Sequence, residues 1–291
     1  MTGVLAALGA AMAWTSASAL WRSLSAHMPA IRLNALKNGL ASLLFLPVLF
    51  TLPGGTEAQA VLVLLISGLI GIAAGDSFYL GALRRLGTRR TLTVEASGPV
   101  LASIGGVVVM GDSLTSRNWL GAILVSGAVA LIALQSRRRS GKRDDISTET
   151  NTELSTGLLL ALTAVICGLS GAFLARHVLI STELSPLQTA TIRLMGGWLG
   201  LIPVLTRAWN RPAMTRPERW TLVVATLIGT NAGILLQQVV LQTMPVGQGV
   251  TLMATAPVMA LVVGHLEGDP IQLSGVAAAV LALAGVACTS L

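Results

Sequence analysis

Along this chain the apolar residues neither alternate with polar ones, as in a half-buried strand, nor form the narrow stripe of a surface helix. They come in long runs separated by short polar or basic segments. Ten such runs fall at approximately residues 2–21, 32–51, 61–83, 92–110, 118–135, 156–176, 187–206, 220–241, 247–265 and 271–289. At about 1.5 Å of rise per residue, roughly 20 residues match a hydrocarbon layer about 30 Å thick. Lipid offers the backbone no hydrogen-bond partner, so each run is predicted to be a helix that satisfies its own N–H and C=O groups. Strands of a membrane barrel would show short alternating segments instead. The expected fold is an all-α membrane protein of ten transmembrane helices.

The pattern occurs twice. At an offset of 154, Gly3, Leu5, Ala7, Leu8, Ala10, Ser16, Leu20 and Arg22 recur as Gly157, Leu159, Ala161, Leu162, Ala164, Ser170, Leu174 and Arg176. At 156, Lys37 maps onto Arg193 and Pro47-Val48-Leu49 onto Pro203-Val204-Leu205. At 158, Gly75, Thr93, Pro99 and Gly106 recur as Gly233, Thr251, Pro257 and Gly264. Shared Leu and Ala alone would be weak, but the ordered blocks with matched basic, Pro and Gly positions are not. The chain therefore divides into a first five-helix repeat (1–135), a polar basic linker (136–155) and a second five-helix repeat (156–291).

Five spans per repeat is an odd number, so the second repeat is expected to enter the membrane inverted. Charge agrees. Segment 83–91 carries Arg84, Arg85, Arg89 and Arg90, whereas its counterpart 242–249 has no Lys or Arg. Segment 52–60 has none, whereas 207–219 has Arg207, Arg211, Arg216 and Arg219. With Arg137, Arg138, Arg139, Lys142 and Arg143 of the linker, all these loops fall on one side, which the positive-inside rule makes cytoplasmic. Both termini are then predicted outside, in a multi-pass protein of the cell (inner) membrane.

Composition narrows the classes further. With 53% hydrophobic and 11% charged residues in 291, the chain cannot hydrate the surface of a soluble domain. Its net charge of +7 sits in clusters between apolar runs, so no nucleic-acid partner is expected. Cys167 and Cys288 lie in apolar stretches without metal-ligand neighbours, and neither a metal nor another cofactor is indicated. Residues 1–13 lack Lys and Arg, so the first run is expected to stay as a mature helix despite Ala17-Ser18-Ala19. His27, His177 and His265 are scattered, and there is no G-x-x-x-x-G-K-[ST] segment; neither an enzyme nor an ATP-driven pump is expected.

The chain resembles the EamA-like ten-helix branch of the drug/metabolite transporter superfamily. The resemblance rests on Ala82-Leu83, Ser97-Gly98-Pro99-Val100-Leu101-Ala102, Met110-Gly111-Asp112-Ser113-Leu114 and Trp119-Leu120-Gly121 to Gly127. In the second half, Ala256-Pro257-Val258-Met259-Ala260, Glu267-Gly268-Asp269 and Gly285-Val286 stand in the same roles. It implies a secondary transporter moving a small metabolite, an amino acid or related compound, by alternating access. Export and proton coupling are further expectations. The alternative is a lipid or lipid-precursor translocase of the same fold. Membrane lipid and a small-molecule substrate are the implied partners, and a monomer or weak homodimer the implied state. Related small multidrug-resistance proteins carry a Glu eight residues before a basic residue in the first helix. Here those positions are Trp14 and Gly168, so that coupling route is missing.

An ionisable side chain at the centre of a spanning helix costs about 2.5–3.5 kcal/mol on insertion scales, so each one calls for a role. Asp76 lies in the third run behind Gly75, with Tyr79 at i+3 on the same face. Tyr79 maps onto Gln237, and Gln238 adjoins it. Asp76 is a candidate for substrate binding or coupling, or else the partner of an arginine in 83–91. Glu95 is a candidate for proton exchange, or else for a salt bridge to Arg89 or Arg90. Lys37 and Arg193 can attract a substrate carboxylate or phosphate, or else snorkel or pair with an acid. Trp14, mid-helix, either lines a cavity or packs in the bundle. Pro99 and Pro257, read as lying inside helices, are candidate gating kinks. Asp112 and Asp269 are expected to cap the fifth and tenth helices.

Overall fold

The computed structural model of the chain describes residues 1–25, 29–139, 151–206, 214–256, 258–259 and 273–290. Among them there is no strand. The helices are α1 (Thr2–Ser25), α2 (Ala30–Phe45), α3 (Ala58–Gly68), α4 (Asp76–Glu95), α5 (Gly98–Met110), α6 (Ser116–Arg139) and α7 (Asn151–Ser181). They continue with α8 (Pro186–Thr206), α9 (Arg216–Ala225), α10 (Gly233–Thr243), α11 (Val246–Met253) and α12 (Leu273–Ser290). A 3₁₀ turn, Leu46–Thr51, extends α2. Among the described residues, five stretches are long and apolar enough to cross a membrane: Ile31–Thr51, Ala58–Ala82, Thr93–Met110, Leu154–Ser181 and Arg216–Thr243. Thr2–Ala17, Ser116–Ile132 and Gly275–Ser290 are shorter apolar helices. Large apolar side chains such as Leu5, Phe50, Val108 and Leu283 are left exposed, as suits a surface whose solvent is lipid.

Besides the 3₁₀ turn, two described stretches depart from α geometry. Leu69–Gly75 joins α3 to α4, and Thr226–Ala232 joins α9 to α10, each as a seven-residue π-helical segment. Such wide turns are rare and occur where tertiary contacts outweigh ideal i→i−4 bonding. Here Gly71 of the first segment lies against Gly171 of α7, and Gly229 of the second lies against Ala17 and Trp21 of α1. Polar side chains pin both regions. Ser67 Oγ donates to the Gly171 carbonyl at 2.6 Å, and Asn231 Nδ2 donates to the Ala41 carbonyl at 3.1 Å.

The compact units do not follow the order of the chain. One comprises Met1–Ser77 with Cys167–Met244, and the other Phe78–Ile166 with Pro245–Leu291. In the first, α1 packs on α10 and on the second π segment, while α2 and α3 pack on α8. Small residues permit the closest approach: a Cβ on Gly68 would collide with the Arg193 carbonyl oxygen, and one on Gly196 with that of Leu65. In the second unit, α5 packs on α11 and α6 on α12, the latter through Gly121 and Gly285.

Three local expectations change. Helix α4 runs unbroken from Asp76 to Glu95, through Arg84, Arg85, Arg89 and Arg90, where a loop was expected at 83–91. Hydropathy marks where the apolar run stops, whereas Leu and Arg are good helix formers and carry the helix on. The chain breaks at Ala96–Ser97, and Pro99 sits in the first turn of α5, where its missing N–H forfeits no helical bond. It therefore stands in a first helical turn beside a break, and not in a helix interior. At α6 the cap is Thr115, not Asp112. Asn118 Oδ1 accepts from Thr115 N at 2.9 Å and from Thr115 Oγ1 at 2.8 Å, and Asn118 N donates back to Thr115 Oγ1. Pro257, His265 and Asp269 lie outside the described residues, as does most of the linker.

Candidate functional site

The first unit carries two repeat-related cations, Lys37 and Arg193, on its apolar helices, and their surroundings differ. Lys37 lies midway along α2. Its Nζ is 3.1 Å from Asp76 Oδ2, with side chains 18% and 39% exposed. The same Nζ stands 4.8 Å from the centre of the Trp21 ring. An ammonium stripped of water thus gains an opposite charge and an aromatic face together. Asp76 is placed for this by the first π segment, which ends at Gly75 and hands the chain to α4. The acid expected to choose between a substrate and an arginine of 83–91 is paired with Lys37.

Arg193 lies on α8 and is 3% exposed. Its Nη1 donates to Gln237 Oε1 of α10 at 3.2 Å, and its Nε has no partner among the described residues. A Cβ on Gly71 would lie 3.5 Å from Nη2, so a glycine of the first π segment borders that edge of the guanidinium. Gln238, next along α10, is completely buried, with Nε2 and Oε1 both unpaired among the described residues. A cluster of this kind, polar and incompletely bonded within an apolar bundle, can take up a polar solute.

The remaining candidates scatter. Trp14 lies on α1 with its indole against Gly233, the first residue of α10. Tyr79 is half-buried on α4, one turn beyond Asp76 and in the second unit. Glu95 is the last residue of α4, half-buried, and not a residue of the following helix. Arg176 of α7 donates to the Leu241 carbonyl at 2.7 Å and to that of Met244, closing the C-terminal end of α10. That role is local and structural. The Lys37–Asp76 pairing went unseen because 39 residues separate the two and no spacing rule links them. The available signal was that a lone acid and a lone base in neighbouring apolar runs each need a counter-charge. The π segments left no sequence signal beyond their glycines.

The model of the EamA-like transporter family matches residues 1–134 and 155–291, nearly the whole chain. The chain belongs to that family. A stretch of 72 residues is 31% identical to the uncharacterized inner membrane transporter YicL of Salmonella typhimurium. That match covers 25% of this chain and 24% of the relative, about a quarter of each. One solved protein crystal structure superposes with a TM-score of 0.80 at 18% identity, covering 100% of this chain and 99% of the other. At that identity the likeness speaks for the fold alone. The chain is thus a member of a transporter family with several helices long and apolar enough to cross a membrane, as a multi-pass membrane protein has. The intramembrane Lys37–Asp76 pair and the Arg193 cluster are the chemistry this family member brings to its apolar helices.

Proposed function

We propose that this transporter moves a small metabolite, an amino acid or related compound, across the inner membrane by alternating access of two inverted five-helix repeats. The observation that carries the reading is a set of contacts in the first unit that obey the sequence repeat. Gly71 meets Gly171, and Gly229 meets Ala17; the two partners on each side are related by the offsets of 158 and 154. Gly75 lies against Gly168, and Gly233 against Trp14, with the same two offsets. The two π segments are likewise repeat partners, 157 residues apart. Contacts that recur with their roles exchanged support an internal two-fold relation. In inverted-repeat carriers the substrate lies near the midplane where the repeats meet, and one repeat rocks against the other. The two stretches of the family match support the same duplication.

The ten-span count includes α8, whose Arg193 and polar first turns lower its hydropathy, and the run at 247–265. The basic segments then face the cytoplasm. Asp76 and Glu95 are the carboxylates for proton coupling, and Pro99 and its repeat partner Pro257 are the hinges of the motion. Counterflow in proteoliposomes tests the reading, with preloaded amino acids, organic acids, sugar phosphates, nucleosides and lipophilic cations. Exchange of at least one soluble class supports it. Exchange of none, together with movement of fluorescent phospholipid between leaflets, would replace it with the lipid translocase. An Asp76→Asn, Glu95→Gln double variant that kept the full pH dependence of flux would remove the proton-coupling part.

A further inference from the structure

We infer that Arg193 docks an oxyanion, a carboxylate or phosphate group, on the transported solute. The inference rests on the transporter reading above and names the chemistry of its substrate. Three observations carry it. First, Arg193 is 3% exposed on a membrane helix, and among the described residues no acidic side chain forms an ion pair with it. A neutral amide, Gln237, is its hydrogen-bond partner, and Nε is left unbonded. A buried cation without a counter-charge is costly, and membrane proteins keep one where a functional anion arrives.

Second, the repeat identifies what is missing. Lys37, the counterpart of Arg193, has its carboxylate in Asp76. The residue at an offset of 158 from Asp76 is Ile234, so the second copy has the base without the acid. The solute supplies the absent carboxylate. Third, the unused donors suit it. Gln237 takes Nη1, Nε has no partner among the described residues, and Nη2 stands 3.5 Å from where a Cβ of Gly71 would lie, a position that carries no side chain. Two parallel N–H groups, on Nε and Nη2, donate to the two oxygens of a carboxylate or phosphate, a pairing a lysine cannot make. Burial of the guanidinium means that the anion enters as the helices around α8 part, consistent with alternating access.

The test uses the full chain in zwitterionic nanodiscs, with thermal shift and equilibrium binding as readouts. The probes are paired: leucine with leucinamide, benzoate with benzamide, then inorganic phosphate and phosphatidylglycerol. At least one soluble oxyanion is expected to raise the melting temperature while its amide does not. Gln237→Glu keeps the shape of the side chain and places a carboxylate 3.2 Å from Nη1. It is expected to weaken oxyanion binding about tenfold to a hundredfold, without lowering the ligand-free melting temperature. Arg193→Gln is expected to abolish binding, and Gln237→Glu keeps the test open should that variant not fold. Equal binding of acid and amide, wild-type affinity in Gln237→Glu, or no shift from any soluble oxyanion overturns the inference. Stabilisation by phosphatidylglycerol alone also overturns it, since the anion would then be a lipid headgroup. If a neutral or cationic solute still exchanges across vesicles, the transporter reading stands and only the oxyanion assignment falls.

Discussion

Lys37 and Arg193 occupy equivalent places in the sequence repeat, and the chain treats them differently. Lys37 has Asp76 at 3.1 Å and Trp21 beside it, and it is the more exposed of the two. Arg193 is nearly sealed, with one amide partner and an unbonded Nε among the described residues. The first copy is electrostatically closed and the second is open. In the proposed reading, the first repeat is held by an internal ion pair and the second keeps its cation for the solute. Symmetry explains why both cations exist, and the departure from symmetry at Ile234 explains why they differ.

The comparison can be broken most severely at the backbone that seals Arg193. Gly68→Val would drive a branched side chain into the Arg193 carbonyl, where even a Cβ collides. A loss of about 1–3 kcal/mol is expected, read as a large fall in melting temperature and yield. The two π segments offer a subtler contrast. A Cβ on Gly229 would overlap Ala17 and Trp21, whereas on Gly71 it would lie at ordinary contact, 3.4 Å from Gly171 Cα. Gly229→Ala is expected to destabilise by about 1 kcal/mol more than Gly71→Ala in parallel melts. Equal melting temperatures would contradict that contrast. The smallest effect on stability is expected from Asp76→Asn. The amide keeps an oxygen that accepts from Lys37 Nζ, so the pair loses its charge attraction but not its hydrogen bond, with the main consequence read in flux.

The class of the protein and its apolar helices were legible because lipid imposes length and hydropathy on every span. Arg193, Gln237 and Asp76 could be picked individually, since an intramembrane polar group stands out in an apolar run. Their partners could not. The Lys37–Asp76 pair depends on which helices pack together, and Arg193 touches Gln237 because α8 lies against α10. Helix α4 outlasts its apolar run, so the arginines of 84–90 were read as a loop when they are helical. The π segments arise from glycine contacts made across the bundle, which local propensity does not encode. At α6 the cap fell to the Thr115–Asn118 pair, three residues beyond the aspartate that looked suited to the role.

The central claim is that the charge of Lys37 is balanced inside the protein and that of Arg193 is not. The direct measurement is the ligand-free melting temperature of Lys37→Met and Arg193→Met beside the wild type. Lys37→Met strands the Asp76 carboxylate, and a lower melting temperature is expected. Arg193→Met strands no acid and removes a costly buried cation at the expense of one hydrogen bond, so an unchanged or raised melting temperature is expected. A fall in Arg193→Met as large as that in Lys37→Met would mean that Arg193 is compensated within the protein, and the account of an open second copy would be wrong.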